Sequence, residues 1–279
     1  MNQFILWQTV FVVWREALEA ILIIAILYSF LVKTNLKALP SMWRGVFAGI
    51  FLSFAMALVI LGAAKWLAGN AQVVFQVSVL LLSCGLMTQM VFWMRRHAKS
   101  LKREVETNLK VALEQPSYIG VASIAGLSVG REGSEAVIYI YGLGLEKSAS
   151  LSSMLVSVSL GMILAGAMFY FISKGLKHLK TQLFFDLTSA VLLISAAGLG
   201  ASAIGKLVAE NIIPGIIEPM WDISKWLDSE GSIVAVIKAI FGYNPRPTLS
   251  EVLFYAGFWL LIVIARKKKS FNYLKGRVA

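Results

Sequence analysis

Long apolar stretches run through the chain, each separated from the next by a polar or basic connection. They lie at about 4–32, 43–67, 71–94, 118–145, 149–174, 182–205 and 250–265. Most reach the ~20 residues that a helix needs to cross a bilayer. The pattern predicts an all-α, polytopic membrane protein with seven transmembrane helices. Two connections hold more material. Residues 95–117 are charged and predict a cytoplasmic helical segment. Residues 206–249 form a long loop with a break at Pro214 and an apolar run from Ile233 to Phe241. That run is too short to span and predicts an interfacial or re-entrant helix. The start, Met1-Asn2-Gln3, lacks the basic region of a signal peptide, and the first apolar run is too long for one, so it reads as a retained span.

Composition agrees with this pattern. The 279 residues are 58% hydrophobic and only 15% charged, with mean hydropathy +0.75; a soluble domain carries roughly a quarter charged residues. No stretch is large and polar enough for a soluble domain with its own core. The single cysteine, Cys84, excludes an internal disulfide and a multi-cysteine metal site.

The net charge of +11 would by itself admit nucleic-acid binding, but its placement points elsewhere. The connections after spans one, three, five and seven hold three, six, three and six basic residues. Those after spans two, four and six hold one, one and four, the last group diluted by five acids. The positive-inside rule then puts the N-terminus outside and the C-terminus in the cytoplasm of a cytoplasmic membrane. The basic surplus is a topology signal, and no nucleic-acid partner is implied.

Against this apolar background, two spans carry charge at mid-depth. Residues 15–19 read R-E-A-L-E and residues 131–135 read R-E-G-S-E. Arg15, Glu16 and Glu19 thus recur as Arg131, Glu132 and Glu135, 116 positions later. Each charge at that depth costs several kcal/mol on most scales, which points to a bound cation. Span one runs inward and span four outward, so spans one to three (about 4–94) and four to six (about 118–205) predict an inverted repeat. The linker 95–117, the external loop 206–249, the seventh span 250–265 and the cytoplasmic tail 266–279 complete a single integral membrane domain. Transporters with such repeats bind substrate at the midplane, where the repeats meet.

On a helix, glutamates at i and i+3 share a face, and each arginine at i can pair with the glutamate at i+4. If the two helices cross face to face, four carboxylates converge against two guanidinium groups. Carboxylate oxygens suit hard cations and iron better than soft Cu(I). A buried ion network locking two helices is the alternative reading, but such pairs seldom add stability over apolar packing, and the surplus of acid has no structural purpose. Other polar positions form a second rank of pathway candidates: Asp186, Tyr139, Gln89 and Met90, with Gln76, Cys84, Met87, Thr188 and Tyr141 behind them. Methionine and cysteine in such helices are usually packing residues. Glu210, Glu218, Asp222, Asp228 and Glu230 read as a solvated external loop that could collect cations. His97 and His178 fall among cytoplasmic basic residues, and Glu104 and Glu106 read as helix-surface charges. The small-residue run Gly198-Leu199-Gly200-Ala201 allows close helix packing. The chain has no P-loop and hence no ATPase of its own.

The paired R-E-x-x-E motifs resemble those of the oxidase-dependent iron permeases, a family of fungal high-affinity and bacterial iron-uptake proteins. Trp93-Met94-Arg95-Arg96-His97, Trp221-Asp222-Ile223-Ser224 and Phe241-Gly242-Tyr243-Asn244-Pro245-Arg246-Pro247 are also similar to that family. The resemblance covers nearly the whole chain. It implies a permease rather than an enzyme, with iron as transported substrate and no cofactor. It implies Glu16, Glu19, Glu132 and Glu135 as metal ligands, with Arg15 and Arg131 as their ion pairs. It also implies an extracytoplasmic iron-delivery protein or oxidase as partner, besides membrane lipid. Ala17 departs from the family's usual glycine, which the second motif keeps as Gly133. A carrier for manganese or lead, or an intramembrane carboxylate–metal oxidase, are the rival readings.

Overall fold

The computed structural model describes residues 7–97, 101–114, 117–147, 150–173, 181–222 and 246–275. They form eight α-helices, and no strand occurs among them. In chain order these are α1 (Trp7–Thr34), α2 (Leu39–Trp66), α3 (Asn70–His97), α4 (Leu101–Leu113), α5 (Ile119–Lys147), α6 (Leu151–Ser173), α7 (Thr181–Ala209) and α8 (Leu249–Lys275). The seven long helices coincide with the seven apolar stretches, and α4 with the charged connection. The apolar run Ile233 to Phe241 lies outside the described residues. Among the described residues, four stretches are long and apolar enough to cross a membrane: Leu36–Trp66, Asn70–Trp93, Ser152–Phe171 and Ser189–Ala209. The helices that carry the charged motifs, α1 and α5, are not among these four, and the apolar part of α8, Leu249–Ala265, is shorter. This is a helical membrane protein.

Helix ends follow local chemistry. Asn35 caps a short 3-10 turn, Leu36–Ala38, by accepting from the Lys37 N–H at 3.1 Å. Pro40 then sits in the first turn of α2, where its missing N–H costs nothing. Gly69 turns the chain from α2 to α3 with φ +57°. At the start of α8, the Thr248 N–H donates to Glu251 Oε2 at 2.7 Å and the Glu251 N–H donates to Thr248 Oγ1 at 3.3 Å. This capping box satisfies two N–H groups that the helix leaves without partners.

Packing is dominated by α2 on α5, α6 on α1 and α3 on α7, with α1 also against α5. Two of these pairings share one device. In α2, Gly45, Gly49 and Ser53 form a stripe of small residues one turn apart, facing Ala122, Gly126, Gly130 and Gly133 of α5. A methyl at Gly49 would lie 2.6 Å from the Gly126 carbonyl oxygen and 3.0 Å from Val129 Cβ. In α6, the buried stripe is Ser157, Gly161 and Ala165. A methyl at Gly161 would lie 2.8 Å from the Val10 carbonyl oxygen and 2.9 Å from Val13 Cβ. Small residues let backbones meet where lipid supplies no hydrophobic drive for association.

Two apolar clusters fill the bundle. One gathers Val12, Leu80, Met87, Tyr139, Leu143, Leu192, Leu193 and Ile262. The other gathers Leu27, Leu31, Met42, Leu109, Val121, Ala125 and Val129. The amphipathic α4 joins the second through Leu109 and Ala112. Along α1 the charged residues lie between Val12 and Leu27; along α5 they lie between Val129 and Tyr139. A polar layer is thus enclosed between two apolar ones.

Candidate metal centre

Both motifs lie on uninterrupted helix, so their spacing acts as the 3.6-residue period dictates. Arg15 is 3% exposed and pairs twice within α1: Nη1 to Glu16 Oε1 at 2.8 Å and Nη2 to Glu19 Oε1 at 2.7 Å. Across the interface, Glu132 is buried as well. One carboxylate oxygen from each of Glu16, Glu19 and Glu132 lies within 4.8 Å of the others. Glu16 Oε2 and Glu132 Oε2 are buried without a hydrogen-bond partner. An orphaned buried carboxylate oxygen carries its full desolvation cost. Three carboxylates this close repel one another unless a proton or cation lies between them.

Glu135 borders this group but is held differently. Its Oε1 accepts from Arg131 Nε at 2.9 Å and its Oε2 from the Tyr139 hydroxyl at 3.1 Å. Tyr139 is fully buried, one turn further along α5. Met90 is also buried and meets the group through Arg131, whose Nη2 donates to Met90 Sδ at 3.7 Å. Gln89, next to it, is on the exposed face of α3. Gln76 accepts from Lys206 Nζ at 2.9 Å, away from the carboxylates. Cys84 and Met87 pack in the first apolar cluster, and Tyr141 lies against Phe75 with ring centroids 6.1 Å apart. Asp186 and Thr188 are on α7 and His97 on α3, but their side chains lie outside the described set. His178, Asp228 and Glu230 are outside the described residues altogether. Glu104, Glu210, Glu218 and Asp222 are exposed, and Asp222 pairs with Arg246 at 2.9 Å.

Three residues of this region escape the motif pattern. The Trp93 ring lies 5.1 Å from the Arg131 guanidinium carbon. Gln8 and Thr9 are both buried in α1. Thr9 lies seven residues before Glu16, hence on the same helix face. A polar pair at that spacing in an apolar helix was the available signal. Trp93 opens the segment Trp93–His97 that resembles the iron permeases, but nothing in the sequence pairs it with Arg131.

Long apolar helices around a cluster of three close carboxylates mark a helical membrane protein with a candidate cation site. The chain belongs to the iron permease FTR1 family, whose sequence profile matches residues 6–269. It is 27% identical over 256 residues to a ferrous iron permease, EfeU, of Escherichia coli O6:H1 (strain CFT073), covering 91% of each chain. It is 28% identical over 247 residues to EfeU of Yersinia pestis, covering 88% of this chain and 87% of that one. EfeU of Shigella sonnei is 28% identical over 253 residues, with 90% of each chain covered. No solved structure matches.

Proposed function

We propose that this protein imports iron across the cytoplasmic membrane, through a midplane site made by Glu16, Glu19, Glu132 and Glu135. The observation that carries the site is the trio Glu16, Glu19 and Glu132, of which Glu16 and Glu132 are buried, each with one carboxylate oxygen lacking a hydrogen-bond partner. A hard cation offsets both the desolvation and the mutual repulsion, and oxygen-only ligation suits iron. Iron enters from outside, exchanges hydration water for carboxylate oxygen and leaves inward as the two halves rock. Glu135, tied to Arg131 and Tyr139, is the ligand that must be released to complete the set. The relatives' name favours Fe(II) as the transported form. The reading makes the protein a permease, not an enzyme, and an extracytoplasmic iron-delivery protein or oxidase remains its expected partner.

The rocking rests on a seven-span inverted repeat, α1–α3 against α5–α7 with α8 added, the N-terminus outside and the C-terminus cytoplasmic. Its support is the packing register. The contacts of Gly161 with Val10 and Val13 match those of Gly49 with Gly126 and Val129. Positions 10 and 126, and 13 and 129, differ by 116, the same offset that separates the two charged motifs. Gly49 and Gly161, and Ser53 and Ala165, differ by 112. Gly133 faces Ser53 in one half, and by the same offsets Ala17 and Ala165 are the corresponding positions of the other.

Manganese or lead could use the same oxygens; family membership favours iron. An oxidase centre of the bundle type mixes histidine with carboxylate, whereas the trio is glutamate alone. The test is iron uptake by cells that depend on this protein. Glu16→Ala, Glu19→Ala, Glu132→Ala and Glu135→Ala should each abolish uptake at wild-type membrane abundance. Near-normal uptake by Glu16→Ala or Glu132→Ala would defeat the proposed site.

A further inference from the structure

The two motifs contain the same charged residues but are wired differently. Arg15 spends its two terminal nitrogens on Glu16 and Glu19 and is almost wholly buried. Arg131 reaches Glu135 through Nε only. Its Nη2 points to Met90 Sδ, and its guanidinium stands over the Trp93 ring. Its side chain is 41% exposed. Met90 and Trp93 are one turn apart on α3, so both present to the same side of that helix.

The Arg15–Glu16 pair shows what an arginine can do to the glutamate that follows it on a helix: it closes to 2.8 Å. Arg131 and Glu132 have the same sequence relation, yet Glu132 Oε2 is buried with no partner. What Arg131 meets instead is α3, through Trp93 and Met90. A guanidinium is planar and weakly hydrated, and it stacks favourably on an aromatic face; the thioether adds a soft acceptor.

We propose that Trp93, with Met90, is a positioning residue that holds Arg131 away from Glu132 and so keeps one carboxylate of the Glu16–Glu19–Glu132 group available to the cation. This rests on the iron-import reading above. Without the ring, Arg131 is free to fold onto Glu132 as Arg15 does onto Glu16, and the incoming cation must compete with an internal one. Loss of a contact of this kind changes a local population by roughly two- to thirtyfold, which sets the expected loss of apparent affinity.

The experiment is the concentration dependence of iron uptake by the full chain in proteoliposomes, for wild type, Trp93→Leu, Trp93→Phe, Arg131→Gln and the double variant Trp93→Leu/Arg131→Gln. Trp93→Leu should raise KM by roughly two- to thirtyfold with Vmax and thermal midpoint close to wild type. Trp93→Phe, which keeps an aromatic face, should recover most of the affinity. In the Arg131→Gln background, Trp93→Leu should change KM no further, because the residue through which it acts is gone. An unchanged KM in Trp93→Leu, an equal KM shift in the Arg131→Gln background, or a fall in Vmax alone would each overturn the proposal. No saturable uptake by wild type would instead overturn the iron-import reading, and this proposal with it.

Discussion

Replacing Gly49 by alanine should push α2 away from α5, the helix that carries Glu132 and Glu135. The new methyl would lie 2.6 Å from the Gly126 carbonyl oxygen and 2.8 Å from the Gly130 nitrogen, both backbone atoms of α5. Ordinary contact begins at 3.4 Å, so α2 and α5 must separate locally by 0.8 Å, the difference between 3.4 and 2.6. No side chain can rotate out of the way. Overpacking of this sort costs about 1–3 kcal/mol, and two backbone contacts place Gly49→Ala in the upper part of that range. Alanine's better helix propensity returns about 1 kcal/mol, which leaves a net loss of about 1–2 kcal/mol. Gly62, in the same helix, is the internal control, since a methyl there meets nothing within 4 Å. Gly62→Ala should keep the propensity gain and be neutral or stabilising by up to about 1 kcal/mol. Gly161→Ala should behave like Gly49→Ala, with contacts at 2.8 and 2.9 Å. Equilibrium unfolding in mixed detergent–SDS micelles reads all three. Equal stabilities for Gly49→Ala and Gly62→Ala would refute the close α2–α5 approach.

Arg15→Leu leaves Glu16 and Glu19 buried without their counter-charge and should cost about 3–5 kcal/mol in the same unfolding measurement. Tyr139→Phe removes the 3.1 Å hydrogen bond that ties Glu135; a bond to a charged group contributes about 1.5–3 kcal/mol, so stability should fall by about that much while the KM for iron uptake falls, because Glu135 is released more easily. Glu251→Ala deletes the capping box of α8 and should cost about 0.5–2 kcal/mol of stability, with the KM for iron uptake unchanged.

Much of this was legible in the residues, because membrane helices obey two strong rules. Backbone polar groups must be satisfied within the segment, so each long apolar run became a helix. Charge at depth is costly, so Arg15, Glu16, Glu19, Arg131, Glu132 and Glu135 stood out at once. What the pattern could not supply was pairing between helices. Nothing in the sequence says that α2 lies along α5 rather than along α1, although Gly45-x-x-x-Gly49 and Gly126-x-x-x-Gly130 mark both faces as suited to close approach. Nor could spacing alone separate the roles of the two arginines. Arg15 and Arg131 occupy equivalent motif positions, but Arg131 meets Trp93 and Met90, which are distant in sequence. The second-rank candidates divide on the same ground. Tyr139 and Met90 face the charged layer because the helical phase of α5 and α3 brings them there, whereas Gln89, one residue from Met90, is turned to the exposed face.

If the proposed import holds, iron crosses the membrane by way of the glutamates of both motifs. The most direct test is radioactive iron uptake into proteoliposomes containing wild type, Glu19→Gln or Glu135→Gln, with iron held ferrous in one arm and ferric in the other. Wild type should take up iron in the ferrous arm, and both variants should lose that uptake. Wild-type uptake that survives in Glu19→Gln and Glu135→Gln would contradict it.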